Sequence, residues 1–210
     1  MESAETVTLV CKGGAAVKVR IATLAAASPV LRDALSLPPS KPGELRLEED
    51  DPGAWGAALR LLDPEGHAEG ALLSWDNLEA SLCLAHKYDI RLVRVACAGF
   101  LGSCHMQVSL TRDLASPMNA LVAASLVEQY LSLQPELQPL LQHFFLAFNS
   151  SLTVSWGIFP GDFAKGQLAR LRSLTQLPDY KLRVTLGVQM RVLEALVEGL
   201  IKVCPQCLER

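Results

Sequence analysis

Hydrophobic and polar residues alternate near the start of the chain. Over residues 6–20, apolar residues occupy every second position on both sides of Gly13-Gly14. Because glycine tolerates a positive φ, this pattern predicts a β-hairpin that turns at the two glycines. A second alternation places Leu45 and Leu47 between charged residues and predicts another short strand.

Helical spacing follows these strands, and the start of each predicted helix carries a capping residue. Ser28-Pro29 and Asp51-Pro52 pair an N-cap residue with a proline at the first helical position, and Ser74 precedes a third apolar stripe. The sequence therefore predicts helices that begin at these three points. The run Glu48 to Asp51 is acidic, and we expect it to be solvated, apart from the capping role of Asp51.

Residues 84–101 have the pattern of a tight helical hairpin. The first helix is predicted to end at Tyr88, since Asp89 favours a turn over a helix interior. The apolar residues that follow recur at helical spacing, which predicts a second helix. They are Leu92, Val95, Ala96, Gly99 and Phe100.

Beyond residue 104 the apolar pattern is helical. One helix is predicted from Ser116-Pro117 to Tyr130, another from Pro135 or Pro139, and two more over about 164–176 and 182–203. Strands mixed with helices, followed by helices alone, indicate an α+β domain with an all-α extension. We place these at residues 6–104 and 105–210.

Composition narrows the class of protein. Half of the 210 residues are hydrophobic, and the net charge of −3 argues against a nucleic-acid binder, which needs a basic face. The first residues lack the basic and apolar regions of a secretory signal, and no apolar run is long enough to cross a membrane. We therefore expect the protein in the cytoplasm or nucleus. There, most of its six cysteines would be free thiols.

No arrangement of reactive residues in the sequence predicts catalysis. Cys204 and Cys207 form a CxxC motif after a predicted helix, where the helix dipole disfavours a thiolate, and no second ligand pair accompanies them. Cys104 and His105 are adjacent, so their side chains point apart. The four histidines are dispersed and give no metal-ligand spacing. We predict no enzyme activity and no cofactor, while a thiol-redox enzyme that uses Cys204 and Cys207 is kept as an alternative.

Three stretches resemble the BTB/POZ family. They are "VTLVCKGGAAVKVRIATLAAASPVLRDAL", "LRLEEDDPGAWGAALRLL" and "WDNLEASLCLAHKYDIRLVRVACAGFL", which match in order and spacing over residues 6 to about 103. The resemblance implies a small sheet capped by helices that ends in a helical hairpin. The second half is faintly similar to a BACK-type helical region, in particular over "NALVAASLVEQY" and "LQPLLQHFFLAFNSSL".

The resemblance implies a protein-interaction module without catalysis. Many members of the family are substrate adaptors for cullin-3-type RING ubiquitin ligases, and many form homodimers or dimers with another BTB domain. Carried over by position, it makes Leu37 and Tyr88 candidate cullin contacts. It makes Thr6, Leu24, Ala27 and Leu31 candidate residues of a dimer interface. Contacts with a substrate protein are predicted at the aromatic residues Trp156, Phe159 and Phe163.

An oligomerisation scaffold without a ubiquitin-ligase link is the alternative function. Members that bind the cullin often carry a hydrophobic-x-Glu motif in the loop after the second helix. Here that loop reads "SLPPSKPG" and has no glutamate before Glu44. Thr6 and Ala27 also replace an aspartate and an arginine that help to build the dimer interface in many members.

Overall fold

The computed structural model describes residues 5–38, 41–67, 72–132, 134–153 and 160–203. The chain divides into two compact units, Met1–Phe100 and Leu101–Arg210. A three-stranded sheet with helices forms the first unit. In the described part of the second unit, the regular elements are helices joined by loops, with an isolated bridge between Ser109 and Asn119. The chain is therefore an α+β protein with a helical extension, as the sequence predicts.

The sheet has the order β2-β1-β3, with β1 (Thr6–Cys11) between β2 (Ala16–Arg20) and β3 (Glu44–Leu47). β1 pairs antiparallel with β2 and parallel with β3. Gly13 and Gly14 have φ values of 73° and 77°, which confirms the glycine turn between β1 and β2. The alternate residues of β1 that were predicted to face one side are buried: Val7, Leu9 and Cys11.

Five helices belong to the first part of the chain. They are α1 (Ile21–Ala27), α2 (Pro29–Ser36), α3 (Pro52–Leu62), α4 (Trp75–Lys87) and α5 (Arg91–Ser103). The three predicted caps are confirmed. Ser28 Oγ accepts a hydrogen bond from Leu31 N at 3.0 Å, Asp51 Oδ1 accepts one from Ala54 N at 2.9 Å, and Ser74 forms a capping box with Asn77. α1 is an additional helix that the sequence pattern did not separate from α2.

The predicted hairpin is formed by α4 and α5. Asp89 has a φ of +52°, a left-handed conformation that aspartate tolerates, and Ile90 N donates to Ala85 O across the turn at 2.9 Å. The rings of Trp75 and Phe100, near opposite ends of the hairpin in sequence, meet edge to face with centroids 5.0 Å apart. The two helices therefore run back along each other.

The second unit contains α6 (Ala120–Tyr130), α7 (Gln138–Leu152), α8 (Pro160–Thr175), α9 (Tyr180–Arg183) and α10 (Leu186–Val203). The predicted start of α6 at Ser116-Pro117 is wrong by a few residues. Asn119 is the N-cap, because its Oδ1 accepts a hydrogen bond from Leu121 N at 2.9 Å. Its Nδ2 donates a hydrogen bond to Arg112 O at 2.7 Å. A 3₁₀ turn over Pro135–Leu137 precedes α7, so both predicted prolines lie at its start.

Among the described residues, no helix combines the length and the apolar character that crossing a membrane requires.

Candidate functional site

An open apolar groove lies on the first unit between α1 and α5. It encloses about 980 Å³. The small side chains of α1 keep one wall low, while Leu92 and Val95 of α5 form the other wall. The groove can therefore receive apolar side chains from a partner. Its lining is Arg20, Ala22, Thr23, Ala26, Ala27, Leu62, Arg91, Leu92 and Val95.

Arg20, at the margin of this groove, is fixed by a buried carboxylate. Its Nε donates to Asp63 Oδ2 at 2.9 Å, and its Nη2 donates to Asp63 Oδ1. The Arg20 hydrogen bond, with a further one from Gly66 N, holds the pKa of Asp63 below its usual range. The groove therefore has a cation of fixed orientation at its edge.

The four residues predicted for a dimer interface differ in exposure. Leu24 and Leu31 are fully buried in the core of the first unit, whereas Thr6 and Ala27 are partly exposed. Ala27 lines the groove. The interface stays a prediction, and Thr6 and Ala27 are the two of its residues that a partner can reach directly.

The expectation that the acidic run is solvated is wrong for Asp50, which is only 8% exposed. Asp50 Oδ2 accepts hydrogen bonds from Trp55 Nε1 at 3.1 Å and from Tyr88 Oη at 2.7 Å, while Oδ1 accepts one from Lys87 Nζ at 2.8 Å. Its backbone oxygen also accepts from Lys12 N at 2.9 Å. These partners satisfy the carboxylate, which explains why it can be buried. We call Asp50, Trp55, Lys87 and Tyr88 the Asp50 cluster.

The pKa values of three groups in and beside the Asp50 cluster are raised. Burial, with the hydrogen bond to Asp50, raises the pKa of Tyr88 to about 12. The hydrogen bond to Asp50 raises the pKa of Lys87. Burial, with the charges of Asp50 and Asp51, raises the pKa of the Cys11 thiol. All three groups are thus kept protonated, and none is poised to act as a base near neutral pH.

The two residues predicted to contact the cullin also differ in their exposure to solvent. Leu37 follows α2 and is 66% exposed, whereas Tyr88 is 6% exposed and its ring packs on Trp55 with centroids 5.6 Å apart. Ser28 Oγ, the cap of α2, donates a buried hydrogen bond to Tyr88 O. This hydrogen bond joins the start of α2 to the turn of the hairpin. The roles of Leu37 and Tyr88 as cullin contacts stay predictions.

The residues predicted to contact a substrate protein are largely outside the described residues. Trp156 and Phe159 fall there, as do Cys204 and Cys207 of the CxxC motif. Phe163 falls within α8, but its side chain is not among those described. These predictions, and the thiol-redox alternative, therefore stay untested.

The structure brings together two of the four histidines, which the sequence shows as dispersed. The rings of His105 and His143 stack with centroids 5.6 Å apart, and His105 Nδ1 lies 2.8 Å from Gly102 O. In the part of the chain that the structure describes, no three His, Cys, Asp or Glu side chains converge as a metal site would need. No local sequence pattern predicts this histidine pair, because the contact depends on how α7 packs.

No protein-family model matches the chain, and no curated protein is significantly similar to it.

Proposed function

We propose that this protein is a non-enzymatic interaction module with a BTB/POZ-like first unit and a BACK-like helical extension. In this proposal it acts in the cytoplasm or nucleus as a substrate adaptor for a cullin-3-type RING ubiquitin ligase. The sheet, the capped helices and the hairpin occur where the three family-like stretches lead one to expect them. That agreement supports the proposal.

The observation that carries the proposal is the exposure of Leu37. Leu31 of α2 is fully buried, while Leu37, directly after the same helix, has two thirds of its surface open to solvent. An exposed large apolar residue at a position where the family contacts the cullin is a suitable anchor, since buried apolar anchors carry much of the energy of protein interfaces. The Ser28–Tyr88 hydrogen bond gives α2, which precedes Leu37, a fixed start at the hairpin turn.

Binding to the N-terminal region of cullin-3, measured by biolayer interferometry with the purified full chain, tests the adaptor function. Leu37→Ala should weaken binding about 10-fold or more, as expected for loss of an interface anchor. Leu72→Ala is the matched control, because Leu72 is 68% exposed in the same unit. Absence of binding by the wild type, or equal loss in both variants, would refute the adaptor function.

The oligomerisation scaffold remains the second candidate, because a specific feature favours it. The loop between Ser36 and Glu44 contains no glutamate, so it lacks the acidic residue with which family members often bind the cullin. The groove beside Ala27 supplies an apolar surface for association. Scaffold function predicts a stable oligomer without affinity for cullin-3, and Ala27→Glu should lower the mass measured by light scattering.

A further inference from the structure

Among the described residues of the second unit, helix α10 packs through one of its two apolar faces. Val188 and Val192 are buried, and Gly199 lies so close to Leu168 of α8 that an added Cβ would come within 2.4 Å of a leucine methyl. Gly187 similarly approaches the side chain of Glu128 on α6. These contacts fix which side of α10 faces α6 and α8.

A second row of large apolar residues follows α10 on the side away from those contacts. Its described members are between 44 and 74% exposed, although they are aliphatic. With 3.6 residues per turn, this row lies roughly 180° around the helix from Val188 and Val192. The packing of α10 on the described residues of α6 and α8 leaves this row exposed. We call it the α10 stripe: Leu186, Met190, Leu193, Val197 and Ile201.

The spacing within the α10 stripe is that of a helical seam. Leu186, Met190, Leu193 and Val197 are separated by four, three and four residues, which is the alternation of a and d positions in a coiled coil. Arg191, Glu194 and Glu198 are charged, and the same geometry places them between the stripe and the buried face. An unbroken apolar seam of this spacing fits another helix with the same spacing.

We propose that the α10 stripe pairs with the α10 stripe of a second copy of this chain. The stripe exposes on the order of 500 Å² per copy, as large as the largest apolar patch of a typical monomer. Complete burial of two such stripes would remove about 1,000 Å² from solvent, which is about the smallest area expected of a biological interface. A self-complementary surface of this kind also closes with two-fold symmetry and leaves no free apolar end.

The residues beside the seam agree with self-pairing. In parallel pairing, Glu194 of one helix faces Gln189 of the other, where an amide can donate to the carboxylate. Antiparallel pairing that overlaps the whole stripe would instead bring the two Glu194 side chains together, so the charges favour the parallel arrangement. Parallel pairing opposes no two like charges at these positions and needs no oppositely charged partner protein.

Sedimentation velocity of the full chain, over a range of micromolar concentrations, tests the pairing. The wild type should sediment as a species of twice the 22.7 kDa chain mass, and Leu193→Glu should halve the observed mass. The same comparison is made in an Ala27→Glu background, so that association through the groove of the first unit cannot mask the loss of the α10 pairing. Leu193→Gln provides a second, uncharged test. Both substitutions replace an exposed side chain by a good helix former, so the helical circular dichroism signal should be retained.

Leu146→Glu is the matched control, because Leu146 is also an exposed leucine on a helix of the second unit, α7. It should leave the mass unchanged. A monomeric wild type would overturn the pairing. So would an oligomer whose mass is unaffected by Leu193→Glu, since another surface would then hold it. A monomer that Leu193→Glu destabilises would also overturn it and would show instead that another segment of the same chain covers the stripe.

Discussion

The two units bury different kinds of polar residue. In the described part of the first unit, the buried polar side chains include the carboxylates of Asp50 and Asp63, each hydrogen-bonded to side chains distant in sequence. In the described part of the second unit, they are the uncharged Asn119 and Ser125. Charge thus fixes the loops of the first unit, while the second depends mainly on apolar packing. The first unit should therefore respond more to changes of charge.

The apolar core of the second unit is built around α6 and α7. Every residue of α6 from Ala120 to Val127 is buried, which is typical of a central helix. Phe144 and Phe148 are one turn apart on α7, and their rings are parallel, with centroids 6.4 Å apart. Their burial supplies much of the packing of this unit.

The largest loss of stability is expected from Phe148→Ala. Truncating a fully buried phenylalanine leaves a cavity, and we expect a loss of about 4 kcal/mol in the free energy of unfolding. Urea unfolding followed by circular dichroism measures it. Leu146→Ala, on the exposed side of the same helix, should cost less than about 1 kcal/mol. Equal losses would show that α7 does not present Phe148 to the core.

Asp50→Ala should destabilise the first unit by about 3 kcal/mol, because it leaves the buried Trp55 and Tyr88 donors without their acceptor. Half-exposed Lys87 can regain water and contributes less. Tryptophan fluorescence during urea unfolding, to which Trp55 contributes, measures the change. Glu49→Ala, at the exposed neighbouring position, should have little effect. A similar small effect of both substitutions would contradict the Asp50 cluster.

Asn119→Ala should cost about 1.5 kcal/mol, as expected for loss of an N-cap. The sequence pattern instead placed the start of α6 at Ser116, so Ser116→Ala is the informative comparison. Ser116 Oγ accepts only a turn hydrogen bond from Met118 N at 3.2 Å, and its loss should matter less. Thermal unfolding of both variants decides between the two starts of the helix.

Tyr88→Phe should cost about 1 kcal/mol at neutral pH, since it removes one hydrogen bond to Asp50. Its larger signature is the pH dependence. The pKa of Tyr88 is raised to about 12 in the fold, against about 10 in an unfolded chain, so its stabilisation is present below pH 10 and is lost as the pH rises towards 12. Raising the pH from 9 to 12 should therefore lower the free energy of unfolding more in the wild type than in Tyr88→Phe. Parallel curves would contradict this role.

Local features of the sequence were enough to predict much of this fold. Ser28, Asp51 and Ser74 cap helices because the cap and the groups it bonds lie within a few residues of each other. Asp50 could not be predicted in the same way. Its burial depends on Tyr88 and Lys87, which are distant in sequence, and an acidic run gives no indication of which carboxylate turns inward.

The candidate site was predictable only in part for the same reason. Ala27 was expected at an interface and does line the groove, but the opposite wall comes from α5, far along the chain. Helical periodicity identified the residues of α10 as apolar. It could not tell that α6 and α8 cover only one of the two faces, because that depends on which neighbours pack against the helix.

The mixed sheet has a consequence for the order in which the first unit folds. β1 meets β2 through the two-glycine turn, and an isolated hairpin of this kind closes in about 1–10 μs. The other edge of β1 pairs with β3, for example through Thr8 and Glu44. This pairing closes a loop that contains β2, α1 and α2. Closing that long loop costs entropy before the parallel strand pair forms. We therefore expect the hairpin to form first and the β1–β3 pairing to set the pace of folding.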